Sequence, residues 1–309
     1  MSRIPIIIDV DTGTDDAIAI TAALLSRDLL DIKAFTTVMG NVSIEKTSKN
    51  TLNLVDYLGW DYKVAVGADR PLKKEYTPAI SHGNSGLGDV TLPESSRAFY
   101  EKDSCDTIYE EAVKANGRLQ LLAVGPLTNV AQAILKYPDI VGMIEKITIM
   151  GGGVYGGNMT MTSEFNIYND PEAARVVFES GIPLWMVGLD VTLKPKLPRE
   201  VFERVKARNS NYAIFASKIF DFMYRRKDEF GCDDPNLHDV IALASIVKPE
   251  ILTFKKFYMT VECEGEITRG MTIADFNNVE MKEPNVWAAL DIDVDMFWNW
   301  LSELFEQEN

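Results

Sequence analysis

Short aliphatic runs alternate along this chain with longer stretches of helical periodicity. Residues 4–8, 32–38, 63–66, 119–124, 147–150 and 184–187 read as strands, and several are apolar almost without interruption, as strands buried on both faces are. Helical patterns at 17–25, 43–58 and 127–135 fill the gaps between them. This alternation predicts an α/β fold with a mostly parallel, doubly wound central sheet flanked by helices. In such sheets ligands bind beyond the carboxyl ends of the strands. Asn169-Asp170-Pro171-Glu172 marks a helix start, with Asp170 as the cap and Pro171 in the first turn, which makes Asp170 structural.

The last third changes character. Residues 199–207, 212–228 and 240–247 read as helices, and 257–263 with 267–271 as a hairpin turning at Glu264-Gly265. An amphipathic helix over about 293–306 closes a mainly helical C-terminal part. No linker, repeat or low-complexity tract divides the chain, so 1–309 is expected to be one domain. Residues 69–97 have weak periodicity, and loops of that length are usually functional or mobile.

Composition narrows the partners. With 31 basic against 46 acidic residues the formal charge is −15, and Lys73-Lys74, Arg225-Arg226-Lys227 and Lys255-Lys256 are too short and scattered to form a basic patch. Nucleic acid and anionic membranes are therefore not expected partners. Cys105, Cys232 and Cys263 are distant and odd in number, which indicates neither a disulfide framework nor a cysteine-held metal. A chain of 309 residues with 46% apolar content has ample core, yet nowhere do about 18 apolar residues run together. No cleavable leader is evident, so a soluble, cytoplasmic protein is expected.

Polar and glycine-rich segments fall where the strand ends should be. The first is Asp9-Val10-Asp11-Thr12-Gly13-Thr14-Asp15-Asp16, with four aspartates around one turn. A capping role suits one of them, but four short carboxylates together are costly unless a cation sits among them. Oxygen ligands without His or Cys suit Ca²⁺ or Mg²⁺ rather than zinc. Gly40-Asn41, Gly125-Pro126 and Gly151-Gly152-Gly153 occupy further strand ends. The glycine run lacks the spacing of a dinucleotide or phosphate loop. Asn158 and Glu164-Phe165-Asn166 place an acid and two amides around an aromatic, a set suited to hydroxyls. His238-Asp239 opens an apolar helix, and His82, the other histidine, lies in the long loop.

Taken in order, these motifs resemble the inosine-uridine-preferring nucleoside hydrolase family, together with Thr37-Val38-Met39-Gly40-Asn41, Gly125-Pro126-Leu127-Thr128-Asn129 and Met150-Gly151-Gly152-Gly153. The resemblance covers nearly the whole chain. It implies hydrolysis of the N-glycosidic bond of ribonucleosides and a tightly bound Ca²⁺ on Asp11, Asp16, Asp239 and the carbonyl of Val124. It implies that Asp15, Asn41, Asn166 and Asp239 grip the 2′- and 3′-hydroxyls and that Asn158 and Glu164 hold the 5′-hydroxyl. Asp11 would act as base and His238 as the acid toward the leaving base, while His82 and Phe165 would line the substrate site. Asp9 would support the cluster without touching substrate. A homodimer or homotetramer is a further implication.

The chain departs from the family where Thr12 replaces the usual proline, which predicts a slightly less rigid turn with its ligands intact. Phe222, Tyr224 and Phe230 are candidates to stack on the base, although aromatics at that spacing are commonly core. Two histidines favour the branch that accepts purines and pyrimidines. Two other readings stand beside the resemblance. A Mg²⁺-dependent phosphatase of the haloacid dehalogenase type shares the Asp-x-Asp strand end, but it expects Thr or Val where Gly13 stands and a later lysine. A catalytically idle nucleoside-binding protein would keep the hydroxyl contacts and lose Asp11 or His238.

Overall fold

Ile6, Ile8 and Val10 of the first strand point into one hydrophobic cluster and Ile7 into another, so the strand is packed on both faces. The computed structural model of the protein describes residues 2–231 and 234–306. Its elements are β1 (Ile4–Val10), α1 (Thr14–Leu25), β2 (Leu30–Thr37), α2 (Ile44–Tyr57), β3 (Val64–Val66), α3 (Ser104–Ala115), β4 (Leu119–Ala123), α4 (Thr128–Lys136), β5 (Ile144–Met150), α5 (Phe165–Asn169) and α6 (Pro171–Glu179). There follow β6 (Leu184–Val187), α7 (Leu189–Thr192), α8 (Arg199–Lys206), α9 (Asn211–Phe230), α10 (His238–Val247), β7 (Leu252–Phe257), β8 (Met259–Val261), β9 (Thr272–Ala274), β10 (Val286–Ile292) and α11 (Val294–Glu306).

One sheet runs β3-β2-β1-β4-β5-β6-β10-β7, parallel throughout except for the edge strand β7. The chain moves outward from β1 to β3, then returns to place β4 on the other side of β1. Asp9 is level with Thr36 of β2 and Ala123 of β4, so the loops that leave these three strands emerge together at the point where strand order reverses. The predicted doubly wound sheet is therefore present, and its switch point lies at the aspartate turn.

Helix α1 is buried along its whole length and packs against α10, itself apolar almost throughout. The two helices start at the same end of the sheet, so Asp15 and Asp16 of α1 come near Asp239 of α10. Asp170 caps α6 as expected, accepting the Ala173 N–H at 3.0 Å, and also receives Thr128 Oγ1 at 2.7 Å.

Two expectations need correction, and two elements were not expected. The second arm of the hairpin is β9, not 267–271, because the chain turns through Gly270 at φ +82 before pairing resumes. Residues 257–263 are split between the sheet edge β7 and the separate β8–β9 ribbon. Helix α3 and strand β10 carry no expectation from the sequence; Asp103 caps α3 by accepting the Asp106 N–H at 2.8 Å. Among the described residues no helix is long and apolar enough to cross a membrane.

Candidate active site

The turn after β1 is organised by its own carboxylates. Asp16 accepts the Gly13 N–H at 2.9 Å and the Asp11 N–H at 3.1 Å, which folds the turn back onto the start of α1. Asn41, from the loop after β2, donates its backbone N–H to Asp11 Oδ2 at 2.7 Å and its side-chain amide to Asp16 Oδ2 at 3.0 Å. Close packing is built in: a Cβ at Gly40 would stand 2.1 Å from Asp11 Oδ2, and one at Gly125 would stand 2.8 Å from Asp11 Oδ1. Thr12 joins its hydroxyl to that of Thr51 on α2 at 2.6 Å, which secures the turn. Beneath the turn, Asp9 Oδ1 receives Thr36 Oγ1 at 2.5 Å and Asn129 Nδ2 at 2.7 Å. Asp9 Oδ1 is thus taken up by protein groups, while its Oδ2 is buried with no hydrogen-bond partner among the described residues.

The cluster is electrostatically unfavourable as it stands. Burial raises Asp11, with the charges of Asp16 and Asp15 adding to the effect. Asp16 is pushed to about 7 by burial and then by Asp15. Asp239 is raised by burial, then by Asp15, Asp16 and Asp11. The N-termini of α1 and α10 offset part of this repulsion. Oxygen atoms of Asp15, Asp16 and Asp239 lie within 4.8 Å of one another. Oxygens that share one Ca²⁺ at roughly 2.4 Å can be no further apart than roughly 4.8 Å, so the group could hold such an ion. Asp11 Oδ1 is buried with no hydrogen-bond partner among the described residues, a second sign of an acceptor shaped for something other than the chain. The expected ligand set named Asp11 where this mutually close trio has Asp15.

A cavity of about 680 Å³ opens from the cluster, within the roughly 300–1,000 Å³ usual for small-molecule sites. It brings together Asp15, Asn41, His82, Val124, Asn158, Glu164, Phe165, Asn166, His238 and Asp239; Asp11 and Asp16 lie behind it. Asn166 donates its amide to Val124 O at 2.8 Å and to Met150 O at 3.1 Å, fixing that carbonyl beside the carboxylates. Glu164 caps α5 and accepts the N–H groups of Gly152, Asn166 and Ile167. Burial still pushes its carboxyl to about 7. The Gly153 N–H goes to Thr272 Oγ1 at 3.0 Å, so the glycine run spends its amides on protein groups and not on a phosphate. Asn158 Oδ1 receives the Phe165 N–H at 3.0 Å.

Both histidines stand over the cluster. His82 Nδ1 accepts the Thr14 N–H at 3.0 Å, which puts the proton of the neutral ring on Nε2. Burial lowers its pKa, Asp15 opposes this and Arg226 reinforces it. His238 Nδ1 lies 2.8 Å from Thr192 Oγ1. Its pKa is lowered by burial, with Asp15 pulling upward and His82 and Lys196 downward.

Among the stacking candidates, Phe222 faces the cavity. Tyr224 is core: it is buried, its hydroxyl is bonded to Leu197 O, and Arg199 lies over its ring at 3.7 Å. The side chain of Phe230, like Cys232, lies outside the described residues. Thr192, Met159 and Arg226 also serve or line the site, although none of them belongs to a motif that marks it.

The family model described as inosine-uridine preferring nucleoside hydrolase matches residues 6–299. The chain belongs to this family. The nucleoside hydrolase is 38% identical over 304 residues to the pyrimidine-specific ribonucleoside hydrolase RihA of Citrobacter koseri, covering 97% of each chain. It is similar in structure to the purine-preferring ribonucleoside hydrolase of Gardnerella vaginalis, with a TM-score of 0.91, 33% identity and 98% of each chain covered. An inosine-guanosine nucleoside hydrolase matches with a TM-score of 0.90 at 30% identity over 98% of each chain. The enzyme hydrolyses the N-glycosidic bond of ribonucleosides. The phosphatase and idle-binder readings give way to this assignment. The family is metal-dependent, and the buried aspartate cluster beside the cavity is a group that could hold the ion.

Proposed function

We propose that this nucleoside hydrolase holds Ca²⁺ on Asp11, Asp16, Asp239 and the Val124 carbonyl, with Asp11 as the base. The observation that carries the reading is the buried, unpartnered Oδ1 of Asp11, beside three carboxylates already close enough to share an ion. When bound, Ca²⁺ supplies Lewis-acid polarisation of the oxygen atoms gathered around it. Asp11 takes the proton of the attacking water as its hydroxyl joins the ribosyl carbon. The bond to the base breaks with positive charge building on the ring, which the surrounding carboxylates stabilise. Asp15, Asn41, Asn166 and Asp239 hold the 2′- and 3′-hydroxyls, and Asn158 and Glu164 the 5′-hydroxyl. His238 delivers a proton to the departing base, and His82 with Phe165 closes the cavity around the substrate.

Uridine-type pyrimidine nucleosides are the favoured substrates in this reading, with inosine also accepted. The pyrimidine-specific relatives and the two histidines over the cavity support this. The chain acts as one domain over 1–309. Buried, unpaired Cys105 and Cys263 suit a reducing, cytoplasmic setting. The exposed stack of Tyr155 on Phe276, with Val279 and Met281 also exposed, supports a homodimer or homotetramer. The test is a substrate panel with Ca²⁺ present. Free ribose is expected from uridine and inosine and not from their 5′-monophosphates. Asp11→Asn is expected to lose about 10²–10⁴-fold in kcat while remaining folded. Near-normal turnover by that variant would remove Asp11 from its role.

A further inference from the structure

The loop that carries His82 over the cavity is held from two sides. Toward α2, Lys46 Nζ donates to Asn84 O at 2.6 Å and Asn50 Nδ2 to Ser85 O at 2.8 Å. Toward α9, Arg226 Nη1 donates to Ile80 O at 2.9 Å, two residues before His82. Arg225 Nη2 meets Asp89 Oδ2 at 2.7 Å, seven residues after it. Between these points the ring of Phe222 packs on Gly88, where a Cβ would come within 2.4 Å of it. The Gly88 N–H closes the loop on itself by bonding to His82 O at 2.9 Å. A seat exists for the closed loop, because His82 packs on Gly13, where a Cβ would stand 2.7 Å from Nδ1.

We propose that Arg225 and Arg226 form a two-point latch that holds the His82 loop down on the ribonucleoside. Consecutive residues on a helix project about 100° apart, so one arginine reaches the cavity rim and the other the outer surface. Asp221, one turn earlier on α9, accepts Arg225 Nε at 2.9 Å and steadies the guanidinium for Asp89. Both are positioning residues that act through His82. The proposal rests on the ribonucleoside reading of the site. Because substrate needs the closed loop, weakening either point lowers the closed fraction and raises the apparent KM, leaving the chemical step alone.

The experiment uses the full chain with saturating Ca²⁺ and uridine or inosine. Arg225→Ala, which lies off the cavity lining, is expected to raise KM about threefold to tenfold, the range of one lost hydrogen bond, with kcat within about twofold of wild type, and Arg226→Ala to raise KM at least as much. Exchange of the Gly88 amide should quicken in both. The exchange of partners, Arg225→Asp with Asp89→Arg, should recover most of the lost KM. The Arg225–Asp89 pair is about half-exposed, so salt screens it, while a nucleoside is uncharged. Added salt should therefore raise KM in the wild type and have little effect in Arg225→Ala. Unchanged KM and unchanged Gly88 exchange in the single variants, or no recovery in the partner exchange, overturns the latch. A wild-type enzyme that releases no ribose overturns the site reading instead, and Gly88 exchange then still decides the latch.

Discussion

Thr12 fixes its turn through a hydroxyl, where a proline would do so through its ring. Its bond to Thr51 continues to Thr47 O at 2.8 Å, tying the metal turn to α2. Thr12→Val should cost about 1 kcal/mol of stability, the net worth of a buried hydrogen bond, measurable by urea unfolding. Leaving-group chemistry is tested at His238. His238→Ala should slow inosine more than a nitrophenyl riboside, whose leaving group needs no proton; equal losses on both would reject the acid role. At this scale the sequence was informative wherever residues cluster in a motif, which is why Asp11, Asp15, Asp16, Asn41 and Asp239 were readable. Thr192 was not, because it meets His238 across 46 positions and belongs to no motif of its own.

At the scale of elements, the parallel strands were legible because burial on both faces leaves a nearly pure aliphatic record. Strand β10 hides behind Asp291 and the partly exposed Trp287, and β7 carries two adjacent lysines at an exposed edge. The hairpin failed for a different reason: a glycine at positive φ displaced the second arm by a few residues, and no pattern of apolar positions records that. Two glycine turns, at Gly40 and Gly125, pack directly on Asp11. Gly125→Ala would drive a Cβ into Asp11 Oδ1 and Val38 Cγ1, at 2.8 and 2.9 Å. The variant should remain folded and lose at least about tenfold in Ca²⁺ affinity, read by calorimetric titration. Unaltered affinity would show that Asp11 does not need its present position.

Across the whole molecule, buried carboxylates couple stability to pH and to the ion. Asp16 and Asp9 are both raised to about 7 by burial, above the roughly 4 of an unfolded aspartate. Each therefore contributes stability that is present below about pH 4 and is lost as pH rises through about 7, because only the folded chain favours the protonated form. The ion binds the deprotonated cluster and should reverse the trend. Without divalent cations the melting temperature should fall between about pH 5 and pH 8, and the increment given by CaCl₂ should grow over the same range. An increment independent of pH would place the ion elsewhere.

The reversal of strand order gathers residues 11–16, 41, 124, 166 and 239 into one site. No contiguous fragment contains it. A growing chain that has not yet produced α10 exposes the apolar flank of α1 and holds its aspartates without their distant partner Asp239. Ion uptake by the cluster should therefore be weaker in a chain that stops short of Asp239, and retention of the ion would report that folding had reached its last quarter.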